Sequence, residues 1–184
     1  MGWRNPVVLV MAAAANVGTL AQGPVYNLGR TPSAEEVRAW DINVRPDGRG
    51  LPPGSGTAKE GAAIYARKCA ACHGPSGVEG KAARLVAEKG PLNSRGGRTL
   101  GNYWPFATTV WDYINRAMPF RQGGSLKSDE VYALTAFLLY KNDIIQESTA
   151  LDAQSLPKVQ MPNRRAFTPP PLADWKPGKP RPFP

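Results

Sequence analysis

Histidine and cysteine are nearly missing from this sequence, which has one His and two Cys among 184 residues. That scarcity excludes a structural zinc site, which takes four Cys or His ligands. Long apolar runs are missing as well. The N-terminal run from Val7 to Ala15 is broken at Asn16 and Gly18, short of the roughly 20 residues that span a bilayer. Lys and Arg never occur more than two in a row, so the formal charge of +9 forms no stripe of the kind that binds nucleic acid. No segment sustains the two-residue alternation of a half-buried strand, so the expected fold is all helical.

What is plentiful is proline and glycine, 19 of each, more than an evenly packed chain carries. The length then suggests one compact domain of about 100 residues with extended flanks. Residues 1–21 have one arginine, a short apolar run and small residues ending at Thr19-Leu20-Ala21. These are the features of a secretory signal peptide cleaved after Ala21, with a retained anchor as the alternative, and they place the working chain in the periplasm. Residues 22–56 are turn-rich and predict an extended segment with one short helix over Ser33 to Trp40, capped by Ser33 with Glu35 and Glu36 in its first turn. Residues 148–184 form a Pro-rich basic tail that includes Pro169-Pro170-Pro171 and should be extended or polyproline-like. Met161, Phe167 and Trp175 within it are costly to leave in water. They predict packing on the chain's own domain or on a partner.

Between these flanks, residues 57–147 read as helices. Thr57 followed by Glu60 is a capping box opening a helix that runs into the cysteines. Phe106 to Ala117 places Val110, Tyr113, Ile114 and Ala117 at helical spacing, and Pro119 stops it. The strongest periodicity is in DEVYALTAFLLYKN, with Ser128 as the expected cap, Val131, Leu134 and Leu138 as one stripe, and Phe137 widening it.

Both cysteines and the single histidine stand together in Cys69-Ala70-Ala71-Cys72-His73. A thioredoxin-type pair would need a βαβ setting that the helical pattern does not supply. A Cys69–Cys72 disulfide would close a very small loop and leave His73 without a role. C-x-x-C-H is the attachment signature of a c-type haem. Two sulfurs three residues apart can reach two vinyl groups on one porphyrin edge, and His73 becomes the proximal iron ligand. A second axial ligand must come from elsewhere, and no second histidine exists. Met1 and Met11 lie in the expected leader, which leaves Met118, on a short turn before Pro119, as the expected ligand and Met161 as the alternative.

The segments TAKEGAAIYARKCAACHG, RAMPF and SDEVYALTAFLLY resemble the class I cytochromes c. In that family a small residue and an aromatic on the first helix meet a leucine and an aromatic on the last, and Gly61, Tyr65, Leu134 and Phe137 occupy the matching positions. The resemblance extends from about Tyr26 to Phe167 and is nearest the cytochrome c subunits of the periplasmic sulfane and sulfite dehydrogenases of bacterial sulfur oxidation. It rests on LGRTPSAEEVRAWDINVRPDGRGLPPGSG, LGNYWPFATTVWDYINRAMPF, LTAFLLYKNDII and MPNR. It implies one covalent haem c and no catalytic residues. The chain would be an electron-transfer protein that accepts electrons from a molybdenum-cofactor dehydrogenase subunit and passes them to another cytochrome c or an oxidase, with the flanks wrapping that partner. A free-standing periplasmic carrier is the alternative. Arg98, Tyr103 and Trp104 are candidates to bind haem propionates, and the Pro91 carbonyl to orient the His73 ring.

Overall fold

The computed structural model describes residues 28–86 and 97–167. The expected leader at 1–21, Pro91, the Pro169–Pro171 run and Trp175 lie outside the described residues. The chain divides into two compact units, Met1–Trp40 and Asp41–Pro184.

The first unit contains α1 (Ala34–Trp40). Its cap is reciprocal: Glu36 N–H donates to Ser33 Oγ at 3.2 Å and Ser33 N–H to the Glu36 carboxylate at 2.8 Å. Arg30 adds hydrogen bonds to the same carboxylate and, with the Ser33 backbone, holds its pKa down to about 2. Local chemistry has to hold this helix, because none of its residues is buried.

The second unit runs β1 (Ser55–Thr57), α2 (Ala58–Lys68), α3 (Ala70–His73), α4 (Leu100–Tyr103), α5 (Ala107–Ala117), α6 (Ser128–Lys141), β2 (Ala150–Asp152) and a 3-10 turn at Leu156–Lys158. Helices α2, α5 and α6 follow the sequence periodicity closely, while the short α4 is not expected from it. The two strands are an addition to the expected fold: they pair antiparallel, Ser55 with Asp152, Gly56 with Leu151 and Thr57 with Ala150. Three residues are too few for alternation to be read in the sequence.

The capping box is present, with Thr57 N–H donating to Glu60 Oε2 at 2.8 Å and Glu60 N–H to Thr57 Oγ1 at 3.4 Å. At α6 the cap falls one residue earlier than expected. Lys127 is the N-cap, its N–H bonded to Glu130 Oε2 at 2.9 Å, and Ser128 is the first helical residue.

Helix α6 is buried on nearly every side, including Val131, Leu134 and Leu138, as a central core helix is. It crosses α2 so closely that a Cβ at Gly61 would overlap the Ala133 carbonyl. Tyr65 meets Phe137 with ring centroids 5.0 Å apart. Gly61 and Tyr65 thus both meet Phe137, and the nearest backbone to Gly61 is that of Ala133. Leu134 also lines a cavity beside the helix.

The core also draws on residues outside 57–147. Val44, Leu151, Leu156 and Met161 are all buried in the same cluster as α5 and α6. Asp112 on α5, itself 6% exposed, ties Val44 in by accepting its N–H at 3.4 Å and pairs with Arg116. Phe167, by contrast, is exposed, with its ring edge-on to Tyr103 at 5.3 Å.

Candidate haem site

Helix α2 ends at Lys68, and Cys69 is both its C-cap and the N-cap of α3, with φ −123° and ψ −36°. The motif is therefore a helix end followed by a separate turn. His73 N–H donates to Cys69 O at 3.0 Å, so the turn that separates the cysteines is also the one that sets the histidine. Cys69 and Cys72 are not joined to each other. Burial, with a smaller contribution from Cys72, pushes the Cys69 thiol up to about 11.

After His73 the chain turns back over the motif. Ala82 N–H donates to Cys72 O at 2.9 Å, and Tyr65 Oη–H donates to Gly74 O at 2.9 Å. This return brings Ala83 O to 2.8 Å from His73 Nδ1. A carbonyl can only accept, so Nδ1 carries a proton, and in the neutral ring Nε2 is the nitrogen with the free lone pair. The carbonyl expected here was that of Pro91, outside the described residues. Among the described residues the carbonyl beside the ring is that of Ala83, and a backbone acceptor leaves no side-chain signal in a sequence.

Cys69, Cys72, His73 and Met118 all line one cavity of about 640 Å³, a size typical of cofactor pockets. Met118 reaches it as the C-cap of α5, its N–H on Ile114 O at 3.0 Å and Pro119 following in a cis peptide. The walls are mainly apolar and include Leu100, Val110, Ile114, Leu134 and Leu138. Met161 is not among the lining residues. It is 3% exposed and belongs to the hydrophobic core.

Of the three residues considered for propionates, Arg98 and Trp104 line the cavity and Tyr103 does not. Tyr103 lies beneath the Arg98 guanidinium, 5.0 Å from carbon to ring centroid. Sequence reasoning passed over two further residues. Tyr113, 47% exposed at the cavity, sets its ring edge-on to Trp104 at 5.4 Å. Thr99, 4% exposed, lines the cavity with a buried hydroxyl that has no hydrogen-bond partner among the described residues. An orphaned buried hydroxyl is costly unless something polar completes it.

The donor set fits a haem. An imidazole, a thioether, two thiols in attachment spacing, a guanidinium and a hydroxyl unpartnered among the described residues converge on an apolar pocket. Among the described residues no cluster of three or more His, Cys, Asp or Glu could hold a bare metal ion. No helix among them is long and apolar enough to cross a membrane.

Residues 56–138 match the family described as cytochrome c oxidase, cbb3-type, subunit III. A chain in the crystal structure of the sulfane dehydrogenase SoxCD from Paracoccus pantotrophus is similar at 40% sequence identity and a TM-score of 0.72, over 82% of this chain and 75% of that one. No curated protein shows significant sequence similarity to the chain.

Proposed function

The chain belongs to the class I cytochrome c family, and from that premise we propose that it would hold a single haem c, joined by thioethers to Cys69 and Cys72, with His73 and Met118 as the residues that would ligate its iron. The observation that carries this reading is the convergence of those four side chains on one apolar cavity. When bound, the haem iron supplies reversible one-electron chemistry.

The protein's own part is binding and tuning. His73 offers Nε2, because Nδ1–H is committed to Ala83 O. That hydrogen bond orients the ring and strengthens it as a donor. Met118 offers a thioether, a ligand type that raises the potential. Leu100, Val110, Ile114, Leu134 and Leu138 keep water from the site. Arg98 and the Thr99 hydroxyl are placed to receive a propionate.

Residues 57–147 are the haem domain, and residues 1–21 direct export to the periplasm. There the chain accepts electrons from a molybdenum-dependent sulfite or sulfane dehydrogenase subunit and passes them to another cytochrome. The similarity to a chain of the sulfane dehydrogenase SoxCD supports that partner class. Tyr113 and Phe120, both exposed where they line the cavity, mark the face a redox partner approaches.

Expression with the haem-attachment machinery tests the site. A covalent haem band that survives denaturation is expected, and its loss in Cys69→Ala/Cys72→Ala. A wild-type protein without such a band would sink the reading. Tagged protein from the native host should retain a molybdenum-containing subunit; recovery of the cytochrome alone would favour a free-standing carrier.

A further inference from the structure

The loop from Gly74 to Val86 has no helix or strand of its own, yet it carries the Ala83 carbonyl that accepts from His73 Nδ1. Much of its bonding returns to the haem motif or to itself. Ala82 N–H donates to Cys72 O at 2.9 Å, Gly80 N–H to His73 O at 3.3 Å and Leu85 N–H to Gly77 O at 2.8 Å. The far end is held differently. Asn142, the C-cap of α6, donates Nδ2–H to Leu85 O at 3.1 Å and to Leu138 O at 2.7 Å. The same carboxamide faces α4, where a Cβ on Gly101 would overlap Oδ1 of Asn142. One side chain thus joins the end of α6, the loop two residues past the His73 acceptor, and the short helix whose neighbours Thr99 and Trp104 line the cavity.

We propose that Asn142 is a positioning residue for the proximal ligand: by pinning Leu85 to α6 it holds the Ala83 carbonyl against His73 Nδ1–H and thereby sets the donor strength of the ring. The proposal rests on the reading of His73 as the iron ligand. The physical chain is short. A ligand histidine whose second nitrogen donates to a fixed carbonyl is a stronger base than one donating to water. A stronger base favours the oxidised iron and lowers the potential. Freeing Leu85 lets the carbonyl drift, weakens the ring as a donor and raises the potential. Gly101 has a matching explanation. Alanine is ordinarily favoured over glycine in a helix, but here the methyl would displace the carboxamide.

Asn142→Leu keeps the approximate volume, removes the donor and adds no charge. In the full haem-loaded chain it should raise the midpoint potential. It should also make the His73 Nδ1–H proton, followed by NMR in the reduced state, exchange roughly tenfold faster, as expected on losing one hydrogen bond. Gly101→Ala should move both readouts in the same directions, and it decides the matter if the first variant does not fold. Folded variants with unchanged potential and exchange rate would overturn the role of Asn142 alone. A wild-type spectrum without a His-ligated low-spin iron would overturn the ligand reading, and this proposal with it.

Discussion

Met118 and Met161 present the same residue type, each before a proline, in two different environments. Met118 is partly exposed and lines the cavity, whereas Met161 is 3% exposed within the core. Replacing Met118 with Ala should abolish the sulfur-to-iron charge-transfer band and lower the potential, since methionine ligation raises it. Met161→Ala should leave the band in place and destabilise the fold by about 2–5 kcal/mol, as core truncations do. Optical spectra and urea titrations of both variants check this, and exchanged outcomes would move the ligand to Met161. A second test at this scale concerns Tyr132, which is buried and donates Oη–H to Pro52 O at 2.9 Å. Burial, with the charge of Asp152, pushes its phenol up from 10.0 to about 12. The folded state therefore holds this proton more tightly than the unfolded state. The stability it contributes is fully present below pH 10 and is lost as pH rises through about 12. Tyr132→Phe should flatten that alkaline decline in denaturation midpoints measured against pH; an unchanged slope would assign it to other groups.

The α2–α6 crossing is decided by backbone approach. Gly61→Ala improves helix propensity by about 1 kcal/mol yet forces a methyl against the Ala133 carbonyl. A net loss of about 1–3 kcal/mol is expected, because overpacking against backbone relaxes poorly. Thermal unfolding of the variant measures the sign directly, and a gain in stability would mean that the helices can separate without cost. The helices themselves were legible in the sequence because periodicity and capping are local: Thr57 with Glu60, Ser33 with Glu36, and the Val131–Leu134–Leu138 stripe all stand within a few residues of one another. Element ends were less so. Ser128 has the chemistry of a cap, but Glu130 reaches back to the Lys127 N–H and starts α6 one residue sooner. The strands at Ser55–Thr57 and Ala150–Asp152 have no local signature, since only closure of the domain brings them together.

At the scale of the molecule, two kinds of charge differ in their consequence. Lys68 is paired with Glu130 at 3.6 Å, while Arg84 and Arg98 are exposed and line the same cavity as Tyr113 and Phe120. Electron transfer with an acidic redox partner should slow as ionic strength rises from 0.05 to 0.5 M at about the rate a shrinking Debye length dictates. Stopped-flow traces across that salt range are the check, and a flat profile would mean that apolar contacts govern docking. The sequence by itself determined the cofactor chemistry and the helical class, because C-x-x-C-H and helical periodicity are written in residues a few positions apart. Only the tertiary structure decided which methionine shares the cavity with His73. It alone brought the Ala83 carbonyl to that ring, left the Thr99 hydroxyl without a partner among the described residues and drew Val44, Leu151 and Met161 into the core. Those outcomes depend on contacts between distant parts of the chain, and several are made by backbone atoms, which every residue carries alike.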